Sequence, residues 1–137
     1  MEIRPYQDHD QAGLIALWTE IFPAGSPHND PATSLDKKLR TDPDLLLVSV
    51  KEGRVVGSVM GGYDGHRGWI YSLAVYPSLC RQGIASALMR EIEEKLRERG
   101  CLKVNLQVLS FNAEVVALYE SLGFSVEERI SMGKKLY

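Results

Sequence analysis

A chain of 137 residues with 45% apolar and 25% charged side chains can fill one core, which excludes a disordered tail or a collagen-like repeat. Its 16 basic and 18 acidic residues leave a formal charge of −2, and the longest basic run is Lys134-Lys135, so no nucleic acid is expected as principal partner. Two cysteines make no disulfide framework, no window approaches 18 consecutive apolar residues, and the start lacks a signal-like charged and apolar pair of segments. The expectation is a single domain over residues 1–137, reduced and cytoplasmic, with no membrane partner.

In chain order, residues 3–6 read as a first strand. Asp8 is placed to cap a helix, with Gln11 three residues on to complete a capping box. Leu14, Leu17, Trp18 and Ile21 then give that helix one apolar stripe. A turn-rich stretch over residues 23–31 leads to Asp30-Pro31, the preferred cap-then-proline order, and a second helix to about Arg40. Residues 45–51 and 54–63 flank Glu52-Gly53, a two-residue hairpin signal, and residues 69–76 add a third strand to an antiparallel meander. Ile84, Leu88, Ile92 and Leu96 mark the strongest helix, ended by Gly100. Residues 102–109 read as a strand parallel to the one before that helix. Asn112 caps a last helix ending at Leu122-Gly123, and residues 124–137 are expected to supply one or two closing strands. The order β-α-α-β-β-β-α-β-α-β(-β) is an α+β fold with a mixed, mostly antiparallel sheet flanked by helices.

The segment with most chemical content is the junction over residues 76–86. A strand ends at Pro77, and a short polar loop with Cys80, Arg81 and Gln82 enters the strongest helix through Gly83, Ile84, Ala85 and Ser86. A helix N-terminus exposes unpaired N–H groups and partial positive charge, so small residues there make a seat for a pyrophosphate. The same residues also suit a strand–helix turn whose glycine and alanine only permit packing; spacing alone leaves both readings open. Other phosphate motifs are absent: there is no G-x-G-x-x-G and no glycine–lysine–serine loop. His9, His28 and His66 are scattered without metal-ligand spacing, so no metal is expected.

This loop and helix resemble the signature of the GNAT superfamily of acetyl-CoA-dependent N-acetyltransferases, Gln/Arg-x-x-Gly-x-Gly/Ala, on Cys80, Arg81, Gln82, Gly83, Ile84 and Ala85. A second family segment, Asn-x-x-small-x-x-Leu-Tyr-x-x-x-Gly-Phe, matches Asn112, Val115, Leu118, Tyr119, Gly123 and Phe124. The stretches at residues 29–31 and 60–68 are similar to the small bacterial YpeA-type subgroup. Together these cover nearly the whole chain, and the element order read above agrees with the family fold.

The resemblance implies acetyl-CoA as co-substrate and direct transfer of acetyl to a primary amine of a small molecule or peptide. It implies that the bulged strand at Leu73, Ala74 and Val75 holds the pantetheine arm by main-chain contacts and supplies an N–H donor to the reacting carbonyl, and that Cys80, Arg81, Gln82, Gly83, Ile84, Ala85 and Ser86 hold the pyrophosphate. Asn112 is then a polar contact to CoA as well as a helix cap, and Tyr119 the general acid that protonates the CoA thiolate. From the residues alone, Tyr119 reads as a packing residue beside Val115 and Leu122. His28, Asp30, Asp64, His66 and Tyr71 fall where family members form the acceptor site. The resemblance also implies a homodimer through the C-terminal strands. Two positions depart from the pattern: Cys80 replaces the leading Gln or Arg, and Tyr71 and Ser72 stand where many members have a glutamate base, leaving the base unassigned. A CoA-binding sensor or subunit without catalysis is the alternative on the same fold, and a longer acyl donor a third.

Overall fold

The computed structural model describes residues 1–23, 25–109 and 112–137. The chain divides into two compact units, Met1–Leu106 and Gln107–Tyr137.

In the first unit, five strands lie in sequence order: β1 (Glu2–Pro5), β2 (Leu46–Lys51), β3 (Arg54–Tyr63), β4 (Gly68–Val75) and β5 (Val104–Asn105). All neighbours are antiparallel except β4 and β5, which are parallel and joined through a helix. The β2–β3 hairpin turns as expected. Glu52 and Gly53 both have positive φ, 52° and 76°, the combination that lets a two-residue loop follow the twist of its strands.

Each face of the sheet takes its own helices. Helices α1 (Gln11–Ile21) and α2 (Pro31–Thr41) cover one face with Leu14, Leu17, Trp18 and Leu35, packed on Leu46, Val48, Val55, Met60 and Ala74. Helix α3 (Ile84–Glu98) buries Ile84, Leu88, Ile92 and Leu96 on the other. Its approach is set by missing side chains. A Cβ at Gly57 would come within 3.1 Å of Leu88 Cδ1, and one at Gly61 within 2.9 Å of Ile92 Cγ1. β3 runs on past the last β2 pair, Leu46 with Met60. There the Lys38 ammonium of α2 donates to the Gly61 carbonyl, and burial lowers its pKa from the ordinary lysine value.

The first helix starts differently from the capping reading above. A 3-10 turn over Asp8–Asp10 precedes α1, with Gln7 as its N-cap; Asp10, at the N-cap position of α1, makes no side-chain cap bond to that helix, and its Oδ2 instead accepts from Gln7 N–H at 2.8 Å. Arg4 of β1 makes this arrangement the better one, because its guanidinium donates to both Asp10 oxygens, at 2.6 and 3.0 Å. At α2 the expectation holds, with Asp30 accepting from Thr33 N–H at 3.0 Å and Pro31 in the first position.

Two further differences lie toward the C-terminus. The strand expected over residues 102–109 is only Val104–Asn105, since the parallel ladder ends after the pairs Gly68–Val104 and Trp69–Asn105. In the second unit, α4 (Ala113–Ser121) is capped by Asn112, whose Oδ1 accepts from Val115 N–H at 3.4 Å. The closing strands expected over residues 124–137 are absent from the described residues. Val126, Ile130 and Met132 alternate as in a strand yet are 77%, 91% and 90% exposed. Alternation reports which residues would share a face, whereas a strand also needs a laddered edge, and none of residues 124–137 is in a strand. Among the described residues no helix is long and apolar enough to cross a membrane.

The Asp10 side chain is 3% exposed, so removing its charge strands Arg4. Asp10→Ala is expected to cost about 3 kcal/mol in urea denaturation at pH 7. Burial pushes the Asp10 carboxyl up, and hydrogen bonds from Arg4 and Gln7 outweigh it, leaving its pKa below the ordinary aspartate value. Its contribution is therefore full above the unfolded value of about 4 and is lost as pH falls through the lower, folded one. Asp10→Asn should flatten that acid limb of the stability curve.

Candidate active site

The site begins with a fault in β4. Met60 of β3 pairs with Tyr71 and Ser58 with Ala74, so two steps on β3 face three on β4. The extra residue falls at Ser72–Leu73, and Ser72 takes φ 53°, left-handed for a residue with a side chain. Ser58 Oγ donates to the Ser72 carbonyl at 2.9 Å, and Trp18 Nε1–H of α1 donates to Ser58 Oγ at 2.8 Å. On its other edge β4 is paired to β5 only at Gly68 and Trp69, so from Ile70 onward that edge has no strand partner among the described residues.

β4 then delivers the chain to α3. After a 3-10 turn over Pro77–Leu79, Cys80 N–H donates to the Pro77 carbonyl at 3.2 Å, and Arg81 and Gly83 both take positive φ, 67° and 81°. Arg81, Gln82 and Gly83 are exposed. No side chain caps the first turn of α3, and no acidic residue sits in it. Its leading N–H groups and the positive end of its dipole therefore face outward uncompensated. A Cβ at Gly83 would meet nothing within 4 Å. Glycine here serves the left-handed backbone, and packing against a neighbouring side chain does not demand it.

The acceptor-site candidates fall into two groups. Asp64 Oδ1 accepts from His66 N–H and Arg67 N–H, each at 2.8 Å, and these bonds lower its pKa from the ordinary aspartate value. Tyr71, 51% exposed, feels the Asp64 charge; burial first, then that charge, raises its phenol pKa. The β3–β4 turn thus gathers Asp64, His66 and Tyr71. Asp30 caps α2 and accepts from both the N–H and the hydroxyl of Thr33, which lower its pKa. Exposed His28 lies in the 3-10 turn just before it, Pro27–Asn29. In the second unit, Tyr119 is half-buried, edge-on to Phe124 with ring centroids 5.7 Å apart, and burial raises its pKa. Among the described residues, no group of three or more His, Cys, Asp and Glu could hold a metal ion.

A model of the acetyltransferase (GNAT) family matches residues 12–124. The chain belongs to the GNAT family. Relatives over its whole length include an acetyltransferase of Pectobacterium atrosepticum, 46% identical over 136 residues, covering 99% of this chain and 96% of the relative. A protein of Yersinia pestis named an uncharacterized N-acetyltransferase is 45% identical with the same coverage. The enzyme class that follows is N-acetyltransferase. Among solved structures, Ard1 from Thermoplasma volcanium superposes with a TM-score of 0.80 at 28% identity, over 92% of this chain and 83% of that one. An AAC(6')-Iy in complex with the bisubstrate analogue CoA-S-monomethyl-acetylneamine gives 0.79 at 18% identity, over 98% and 97%, a likeness of fold.

Within this GNAT chain, sequence reading missed the Trp18–Ser58–Ser72 hydrogen bonds. Trp18 counted only as part of an apolar stripe. The available signal was Ser58, a hydroxyl inside the apolar run Val55, Val56, Val59 and Met60, where a buried polar group needs a partner.

Gly83→Ala tests the backbone requirement apart from any ligand. With no clash to relieve, the left-handed φ alone should cost about 1–2 kcal/mol in urea denaturation.

Proposed function

We propose that this chain transfers acetyl from acetyl-CoA to the primary amine of a small molecule or peptide, both substrates being bound together. The observation that carries the reading is the open, uncapped N-terminus of α3 at Gly83, placed after a β4 edge that has no strand partner among the described residues. A long ligand with a doubly charged pyrophosphate and an amide-rich arm fits that pairing of features: N–H groups for the anion, a free strand edge for the amides. The family match runs through residues of both units, which supports reading residues 1–137 as one functional domain.

In this reading the main chain and side chains from Cys80 to Ser86 seat the pyrophosphate, with Arg81 adding charge where Cys80 replaces the family's Gln or Arg. Leu73, Ala74 and Val75 align the pantetheine arm by their backbone. Acetyl-CoA supplies an acetyl group activated as a thioester. Tyr119, whose burial keeps the phenol protonated beyond the ordinary range, gives its proton to the departing thiolate. Asn112 caps α4 and so fixes the start of the helix that bears Tyr119.

The incoming ammonium must lose a proton to become nucleophilic. Asp30 and Asp64 are weakened as bases by the N–H groups they accept, and Tyr71 holds its own proton tightly. Water relayed through main-chain carbonyls is the route this reading takes, with His28 and His66 the other candidates. One observation favours a second reading, a CoA-binding subunit without catalysis: Tyr71 and Ser72 stand where many family members have a carboxylate. Acetylation of any amine in a panel, above the uncatalysed rate, eliminates that reading.

Titration calorimetry with acetyl-CoA, and separately with CoA, should give saturable one-to-one binding that folded Gly83→Glu loses. No binding at sub-millimolar ligand would refute the proposal. Tyr119→Phe should lower turnover by roughly 10²-fold or more while acetyl-CoA affinity stays within about twofold. Since burial raises the Tyr119 pKa, turnover controlled by its proton should hold up to about pH 10 and fall above it; Tyr119→Phe should abolish that limb.

A further inference from the structure

The bulge in β4 takes the Ser72 carbonyl out of the β3–β4 ladder, since no pair lies between Met60–Tyr71 and Ser58–Ala74. A part-buried carbonyl without a ladder partner is better satisfied by another donor. Ser58, fully buried, supplies it, and Trp18, 2% exposed, supplies the next link. The direction of this chain is fixed by inventory. An indole N–H can only donate, so it occupies a lone pair of Ser58 Oγ, and the single hydroxyl proton goes to Ser72 O. Trp18 lies 40 residues before Ser58, and Ser58 14 before Ser72, so three separate elements are tied at one point.

The Ser72 carbonyl and the Leu73 N–H belong to one planar peptide group. That peptide is trans, so the two point in opposite directions. Holding Ser72 O toward Ser58 on β3 therefore turns Leu73 N–H toward the opposite edge of β4, which has no strand partner there among the described residues. We infer that Trp18 and Ser58 are positioning residues that aim the Leu73 N–H at the thioester carbonyl of acetyl-CoA. They touch no substrate and act through the Ser72–Leu73 peptide. This inference rests on the acetyl-CoA reading above.

The test uses acetyl-CoA labelled with ¹³C at the carbonyl, isotope-edited infrared spectroscopy and calorimetry on the full chain. In the wild type, binding should shift the carbonyl stretch to lower frequency, the signature of an N–H donor. Ser58→Ala should reduce that shift by about half or more and weaken acetyl-CoA binding about fivefold, the loss of one aligned hydrogen bond. CoA has no acetyl carbonyl, and its affinity should stay within about twofold because the α3 seat is untouched. Trp18→Phe frees the hydroxyl to rotate and should give a smaller change of the same sign; Ser58→Thr, which keeps the hydroxyl, should restore the shift. Wild-type carbonyl shifts in folded Ser58→Ala and Trp18→Phe would overturn the inference while leaving acetyl transfer intact. Equal weakening of CoA and acetyl-CoA, or loss of folding in both variants, would make the chain of hydrogen bonds merely structural and overturn it as well. Failure of the wild type to bind acetyl-CoA would bring down the functional reading first, and this inference with it.

Discussion

The carbonyl of Ser72 has no place in the ladder of its sheet, and in its part-buried position a partner from within the fold is worth a hydrogen bond. The hydroxyl of Ser58 and the indole of Trp18 meet that need from two other elements, so the bulge is held in place from within the core. Much else depends on it. The left-handed Ser72 persists because its carbonyl is engaged, and β4 pairs with β5 only before the bulge. Among the described residues, the β4 edge that follows has no strand partner.

Helix α3 provides the second half of the arrangement, and its position is set by glycines on the strand beneath. Gly57 and Gly61 let Leu88 and Ile92 rest almost on the β3 backbone. That close approach anchors the second and third turns of α3 and leaves the first turn, from Ile84, projecting past Gly83 without a cap. A strong apolar stripe thus does more than bury area: it holds an uncompensated helix terminus at a defined point beyond β4. Arg99 extends the hold at the far end, pairing with Asp42 at 2.8 Å just after α2.

Signals confined to a few neighbouring residues were legible in the sequence. Glu52-Gly53 specified its turn through backbone conformation alone, and Asp30-Pro31 opened α2 through one cap and one ring. The α3 stripe and its Gly100 terminator were equally plain, as was the loop at residues 76–86. What escaped reading depended on partners distant in sequence. Asp8 reads as the cap of α1, whereas the chain adds a 3-10 turn in which Asp10 turns back to Gln7 N–H and to Arg4 of β1, partners no local pattern announces. Ser58 and Trp18 meet across 40 residues, beyond any local pattern. Residues 124–137 have the alternation of a strand, which says nothing about whether an edge is there to receive it. The bulge itself has no sequence signature, because Ser72 is an ordinary residue in an unusual conformation.

The parallel ladder of β4 and β5 has only two rungs, Gly68–Val104 and Trp69–Asn105. A junction that thin opens locally far more readily than the whole fold unfolds, so its amides should exchange with solvent by separation of the strands rather than through global denaturation. Any molecule that lies along the open edge beyond the second rung adds bonds where the sheet has none and selects the closed arrangement. Occupancy would then appear as rigidity: slower exchange at β5 and a melting temperature that climbs with ligand concentration. The weakest seam of the sheet is in this sense its most responsive part.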